Sequence, residues 1–173
     1  LARARVLLGG LDGQDLHAVE AGIAARENRW SDAIALTDQI LDEDKTHCLA
    51  LTVQAEARLQ KNDLARALTS AQLAVNQCPG QEQAWELAAR IYERRDDLEN
   101  ARRMWRQGLR ANSQNPNLTK AYVDWLLRAG QEREALAASR RLTRAAPALL
   151  SGWRLYNDVC TRLRQACTSE ART

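Results

Sequence analysis

Alanine returns at Ala33, Ala67, Ala101 and Ala135, each 34 residues after the last. Every one follows a polar segment (ENRWSDA, KNDLARA, RDDLENA, GQEREA) and precedes apolar residues at helical spacing. Other markers keep the period. Ala21, Ala55 and Ala89 recur at 34, as do Trp30, Leu64 and Leu98; Leu51 and Trp85 are one period apart, Trp85 and Trp153 two, and Pro79 and Pro147 two. A fixed period of this length means stacked copies of one supersecondary unit. One copy cannot bury its own apolar face, so its neighbours must supply the core.

The third copy shows the local physics. Trp85, Ala88, Ala89 and Tyr92 fall at i, i+3, i+4 and i+7, one face of an α-helix. Asp96 and Asp97 interrupt the pattern, and Leu98, Ala101, Trp105 and Leu109 begin a second stripe. So short a linker folds the two helices into an antiparallel hairpin. Ala89 and Ala101 mark its closest approach, where larger side chains would cost about 1–3 kcal/mol in overpacking. The spacing predicts helices at 15–27 and 31–43, 48–60 and 64–77, 81–94 and 98–111, 116–128 and 132–145. A further first helix starts near 149 with Trp153 and Tyr156, and residues 1–8 read as the closing helix of an earlier copy. Sparse chain breakers, 8 Gly and 3 Pro in 173 residues, agree with helices throughout.

These residues resemble the tetratricopeptide repeat (TPR) family. Its pattern is an early aromatic, a small residue one turn on, a tyrosine, a turn, then a small residue opening the second helix and a proline at the exit. Trp85, Ala89, Tyr92, Ala101 and Trp105 match it, as do Leu51, Ala55, Ala67, Ala74 and Pro79, and Gly130 fits the turn glycine. The other copies depart: His17 and Thr119 replace the aromatic, and Val123 a small residue. The resemblance implies an all-α, right-handed α-solenoid of antiparallel helix–turn–helix repeats. It is read as a single domain over 1–173, with full repeats at 14–47, 48–81, 82–115 and 116–149 and partial ones at 1–13 and 150–173. The chain begins at Leu1 rather than Met and reads as a segment of a larger protein.

Catalytic chemistry finds little footing. His17 and His47 lack partners at metal-ligand spacing, and Gly9-Gly10-Leu11-Asp12-Gly13 lacks the lysine of a phosphate loop. Neither a GxSxG nor an HExxH motif occurs. The expectation is no enzyme, no cofactor and no metal. Asp96-Asp97 reads as a turn that caps the next helix. No stretch is long enough to span a membrane, and LARARVLLGG breaks too early for a signal peptide.

Four cysteines admit two pairings. Cys48 opens one predicted helix and Cys78 ends its antiparallel partner, so both belong at one end of a hairpin. Cys160 and Cys167 flank a predicted turn and could meet across it. Two disulfides would point to an oxidising, extracytoplasmic compartment such as a bacterial periplasm; four small, partly buried thiols would fit a cytoplasmic protein.

Charge is unevenly spread. Residues 1–86 carry 8 Lys and Arg against 13 Asp and Glu, and residues 87–173 carry 17 against 9, for a net +3 overall. Arg94, Arg95, Arg102, Arg103, Arg106 and Arg110 cluster in the third copy, and Arg140, Arg141 and Arg144 in the fourth. A nucleic-acid surface would interleave exposed aromatics. Trp85, Tyr92 and Trp105 look committed to the core, so nucleic acid is not the expected partner. The asymmetry reads as solvated helix faces or as a field that steers a partner.

In the implied solenoid, first helices line a concave wall. Its contact positions are Glu56, Glu86, Arg90, Arg94, Lys120, Asp124, Arg128 and Arg154, with Leu59, Leu127 and Asp158 beside them. Mixed signs suit a polar extended segment or a carbohydrate. The Lys/Asn/Arg clamp with which some TPR proteins hold a peptide's terminal carboxylate has no match. The expected function is a protein–protein interaction scaffold binding a protein or peptide, in a bacterial envelope, secretion or exopolysaccharide-export protein. The alternatives are a cytosolic TPR adaptor or the recruiting region of an enzyme. Self-association through the terminal repeats is a further option.

Overall fold

The computed structural model describes residues 13–163, and among these the chain forms nine helices and no strand. They are α1 (Gly13–Arg26), α2 (Trp30–Glu43), α3 (Cys48–Gln60), α4 (Leu64–Gln77), α5 (Glu82–Arg94), α6 (Leu98–Ala111), α7 (Pro116–Arg128), α8 (Glu132–Ala145) and α9 (Leu150–Arg162). The helices expected from the 34-residue spacing start and stop within two residues of these bounds. The closing helix expected at 1–8 lies outside the described residues.

Each hairpin turns at one left-handed residue. Asn28, Asn62, Asp96 and Gly130 have φ of 59°, 61°, 59° and 68°, and they too are 34 apart. Asn, Asp and Gly are the residues that enter this region at least cost. The next residue's N–H then reaches back five positions: Arg29 to Ala24 O, Asp63 to Arg58 O, Asp97 to Tyr92 O and Gln131 to Leu126 O, at 2.8–2.9 Å. That bond ties off a carbonyl at the end of the first helix. Side chains cap several following helices. Asp63 accepts from the Arg66 N–H at 3.3 Å, Asp97 from Asn100 N–H at 3.1 Å and Asn115 from Leu118 N–H at 2.9 Å. His47 caps α3 through Nδ1, accepting from Ala50 N–H at 3.2 Å.

The periodic alanines are the contact points. Ala21, Ala55 and Ala89 and Ala33, Ala67, Ala101 and Ala135 are all fully buried. The chain divides into two compact units, Leu1–Met104 and Trp105–Thr173, with the boundary inside α6. In the first, α1 through α5 pack each on the next, and α3 also touches both α1 and α5, so hairpins stack first helix on first helix. In the second, α8 packs on α7 and on α9, and α7 touches α9. The indole of Trp85 donates to Pro79 O and that of Trp153 to Pro147 O, both at 2.8 Å, one contact repeated two periods apart.

The first unit also carries a polar network through its core. The Gln54 amide donates to Asp38 at 2.6 Å and accepts from Ser70 Oγ at 2.7 Å, joining α2, α3 and α4. Arg58 donates to Asp38 at 3.1 Å. Cys48, the first residue of α3, is joined to Cys78, just beyond α4, by a disulfide with Cα atoms 6.0 Å apart. Cys167, and with it the second expected pairing, lies outside the described residues.

Two leucines fall elsewhere than their stripes suggest. Leu98 is 53% exposed at the first position of α6, whereas Trp30 and Leu64, the first residues of α2 and α4, are half-buried. Leu59, expected on the contact wall, is 2% exposed. It lies one turn after Ala55 on the same face of α3 and is carried into the core with it.

Candidate binding grooves

The first helices of the first unit enclose a groove of about 470 Å³ between α1, α3 and α5. Its apolar wall includes Leu49, Val53 and Leu87, and its charged lining is Arg26, Glu56, Glu86 and Arg90. Helical spacing puts them there. Thr52, Val53 and Glu56 follow one face of α3, as Gln83, Glu86, Leu87 and Arg90 follow one face of α5. Arg90 Nη1 lies 3.9 Å from both Glu56 and Glu86, a long and shared ion pair. Burial pushes the Glu86 carboxyl above its ordinary value. Arg90 opposes the rise, and Glu56 and Glu82 add to it.

Three of the eight predicted contact residues, Glu56, Glu86 and Arg90, are therefore brought together. Arg94 is not in the groove lining; it donates to Asn62 Oδ1 at 3.1 Å beside the turn. In the second unit Lys120, Asp124 and Arg128 line a shallow depression with Leu127 and Arg162, and Lys120 pairs with Asp124 at 2.6 Å. Arg154 and Asp158 are exposed on α9. Among the described residues, no group of three or more His, Cys, Asp or Glu could hold a metal ion, and no helix is long and apolar enough to cross a membrane.

A second, larger groove was not among the expectations. It has a volume of about 690 Å³ and is formed by α6, α7 and α8 within the second unit. Arg106, Arg110, Arg141 and Arg144 line it over a floor that includes Tyr122 and Leu142, and no acidic residue lines it. Tyr122 is fully buried and its hydroxyl donates to Glu134 at 2.7 Å. The same carboxylate lies 3.5 Å from Arg106. The signal was visible in principle: Arg110 and Arg144 are one 34-residue period apart. Equivalent positions on successive second helices share a face, so two arginines in register announce a shared surface.

The sequence matches the family model of ChAPs, the Chs5p-Arf1p-binding proteins, over residues 15–104. No curated protein matches it. Among solved structures the chain is similar to TTC0263, a thermophilic TPR protein of Thermus thermophilus. The identity is 17%, with 91% of this chain and 87% of that one covered and a TM-score of 0.71. It is similar to YrrB, a TPR protein described as having an unusual peptide-binding site, at 13% identity, 96% and 84% coverage and a TM-score of 0.58. MamA from Desulfovibrio magneticus RS-1 is similar at 15% identity, 77% coverage of each chain and a TM-score of 0.61. These likenesses give the fold, a TPR-type array of helical hairpins. The family match takes in the four hairpin helices α1–α4, all of α5 and the groove between α1, α3 and α5; spanning more than half of the chain, it makes this protein a member of the ChAPs family.

Proposed function

We propose that this chain is a non-catalytic protein–protein interaction scaffold that takes an extended peptide segment of a partner between α1, α3 and α5. The observation that carries this reading is Arg90, suspended 3.9 Å from two carboxylates above an apolar wall. A guanidinium so loosely paired can exchange one carboxylate for an incoming one, while Leu49 and Val53 receive an aliphatic side chain. The family's name describes proteins that bind other proteins, and the likeness to a TPR protein with a peptide site fits the same use. The proposal includes an extracytoplasmic setting, in a bacterial envelope, secretion or exopolysaccharide-export protein, supported by the Cys48–Cys78 disulfide.

The test is selection from a displayed random-peptide library. The wild-type chain should enrich peptides that Arg90→Glu no longer retains, with the helical circular-dichroism signal unchanged. Enrichment of no peptide, or equal retention by Arg90→Glu, rejects the groove. Alkylation of protein purified without reductant tests the setting: reactive Cys48 and Cys78 would favour a cytosolic adaptor.

A further inference from the structure

We infer that the groove of α6, α7 and α8 is a second docking site, built for an acidic peptide segment of a partner protein with aliphatic residues between its carboxylates. All four of its arginines are exposed. Arg106 has Glu134 at 3.5 Å, whereas no described residue forms an ion pair with Arg110, Arg141 or Arg144. Four like charges around one groove repel one another, and incoming carboxylates relieve that repulsion. The planar fork of arginine is shaped for bidentate contact with a carboxylate.

The spacing selects an extended chain. Arg106 and Arg110 are four residues apart on α6, about 6 Å by helical rise. Carboxylates at alternate positions of an extended peptide are about 6.6 Å apart and point to the same side. Leu109 and Ala145 are the accessible apolar lining beside the arginines, against which the intervening aliphatic residues can rest. The chemistry disfavours nucleic acid. Trp105 is 2% exposed and Tyr122 is fully buried, so neither ring is free to stack on a base.

The site is independent of the groove between α1, α3 and α5, and its test separates the two. The probe is a labelled peptide of alternating Glu and Leu, titrated by fluorescence anisotropy against the 173-residue chain. A Lys/Leu peptide of the same length is the control. The acidic peptide should bind, more weakly as salt is raised. Arg110→Glu with Arg144→Glu should weaken it by about tenfold or more. Arg141→Gln should weaken it less, Arg110→Lys with Arg144→Lys should fall in between, and the double charge reversal should cause the same fold-loss in an Arg90→Glu background, where the α1–α3–α5 groove is disabled. Circular dichroism reports whether each variant keeps its helices. Equal binding of the Lys/Leu peptide, or equal binding by wild type and the double charge reversal, overturns the inference. Tighter binding of poly(U) or of phosphatidylserine–phosphatidylcholine vesicles through the same arginines overturns it in favour of those ligands. Sedimentation showing a dimer that the double reversal dissociates overturns it in favour of a second copy of this chain.

Discussion

The groove between α1, α3 and α5 sets Arg26 and Arg90 among Glu56 and Glu86, whereas the groove of α6, α7 and α8 holds four arginines and no carboxylate. The two differ through what stands at equivalent repeat positions. Glu56 and Arg90 are 34 residues apart, carry opposite charges and lie 3.9 Å from each other. Arg110 and Arg144 are also 34 apart, carry the same charge and line one groove. In a stack of hairpins the repeat period brings equivalent side chains onto one surface, so the sign pattern along the period sets the character of each groove. The excess of base in residues 87–173 thus has a local counterpart in the arginine groove.

The arginine groove depends on its floor, so the largest way to break the comparison is to remove part of it. Leu142 is 1% exposed. A side chain added at Gly152 would meet it at 3.3 Å, a measure of how closely α9 covers it. Leu142→Ala is expected to cost about 2–5 kcal/mol, read from the midpoint of urea unfolding at unchanged slope. A loss under about 1 kcal/mol would mean that the packing there relaxes freely around the gap. On the other side, Cys48→Ser with Cys78→Ser opens a loop of sequence separation 30 next to the α1–α3–α5 groove. It should cost about 2–4 kcal/mol, and reductant should lower the midpoint of the wild type by more than that of the variant. Acidic-peptide capture should survive this change at temperatures where the chain stays folded.

A smaller effect separates floor from charge. Tyr122→Phe removes the hydroxyl that Glu134 accepts at 2.7 Å. A hydrogen bond to a charged group contributes about 1.5–3 kcal/mol, so the variant should unfold earlier by that order. It also frees Glu134 toward Arg106, so its affinity for the Glu/Leu peptide should fall modestly. An unchanged affinity together with the stability loss would show that Arg106 is already fully compensated in the wild type.

Helix positions, hairpin turns and core alanines were legible in the sequence because each is a local demand repeated four times. A close approach needs Ala, and a left-handed turn needs Asn, Asp or Gly. Misreadings occurred where a residue obeys its neighbours rather than the period. Leu98 keeps the 34-residue spacing of Trp30 and Leu64 and opens a second helix as they do, yet it is exposed where they are half-buried. Leu59 belongs to the face of Ala55 rather than to that of Glu56. The α1–α3–α5 groove was partly legible, since Glu56, Glu86 and Arg90 sit on first helices at readable spacings. The arginine groove was not: its walls come from two helices separated by a third, and the arginine clusters of the third and fourth copies read as solvated helix faces or a steering field. Only the folded chain shows that, among the described residues, a carboxylate pairs with Arg106 alone of the four.

The smallest prediction concerns Glu86, a groove carboxylate whose proton affinity is altered. Burial raises Glu86 above its ordinary 4.5, so the folded chain holds this proton more tightly than the unfolded chain does. The two states then differ in bound protons only between 4.5 and the raised value, and through that window stability falls as pH rises. Glu86→Gln removes the proton exchange. Its stability relative to wild type should be flat in acid, climb as pH passes upward through the window, and level off at neutral pH as a small gain. The gain is small because Glu86 is partly exposed and Arg90 offsets some of the burial. Asp44 and Asp97 push the other way: hydrogen bonds from Thr46 and Asn100 hold them below 3.8, which adds stability that is lost as pH falls. Both remain in the variant and cancel in the difference, so thermal melts of the two proteins across pH isolate Glu86. A difference that declines with rising pH would reverse the sign assigned to burial and make Arg90 the dominant neighbour, turning the loosely paired groove into a closed ion pair with nothing to exchange.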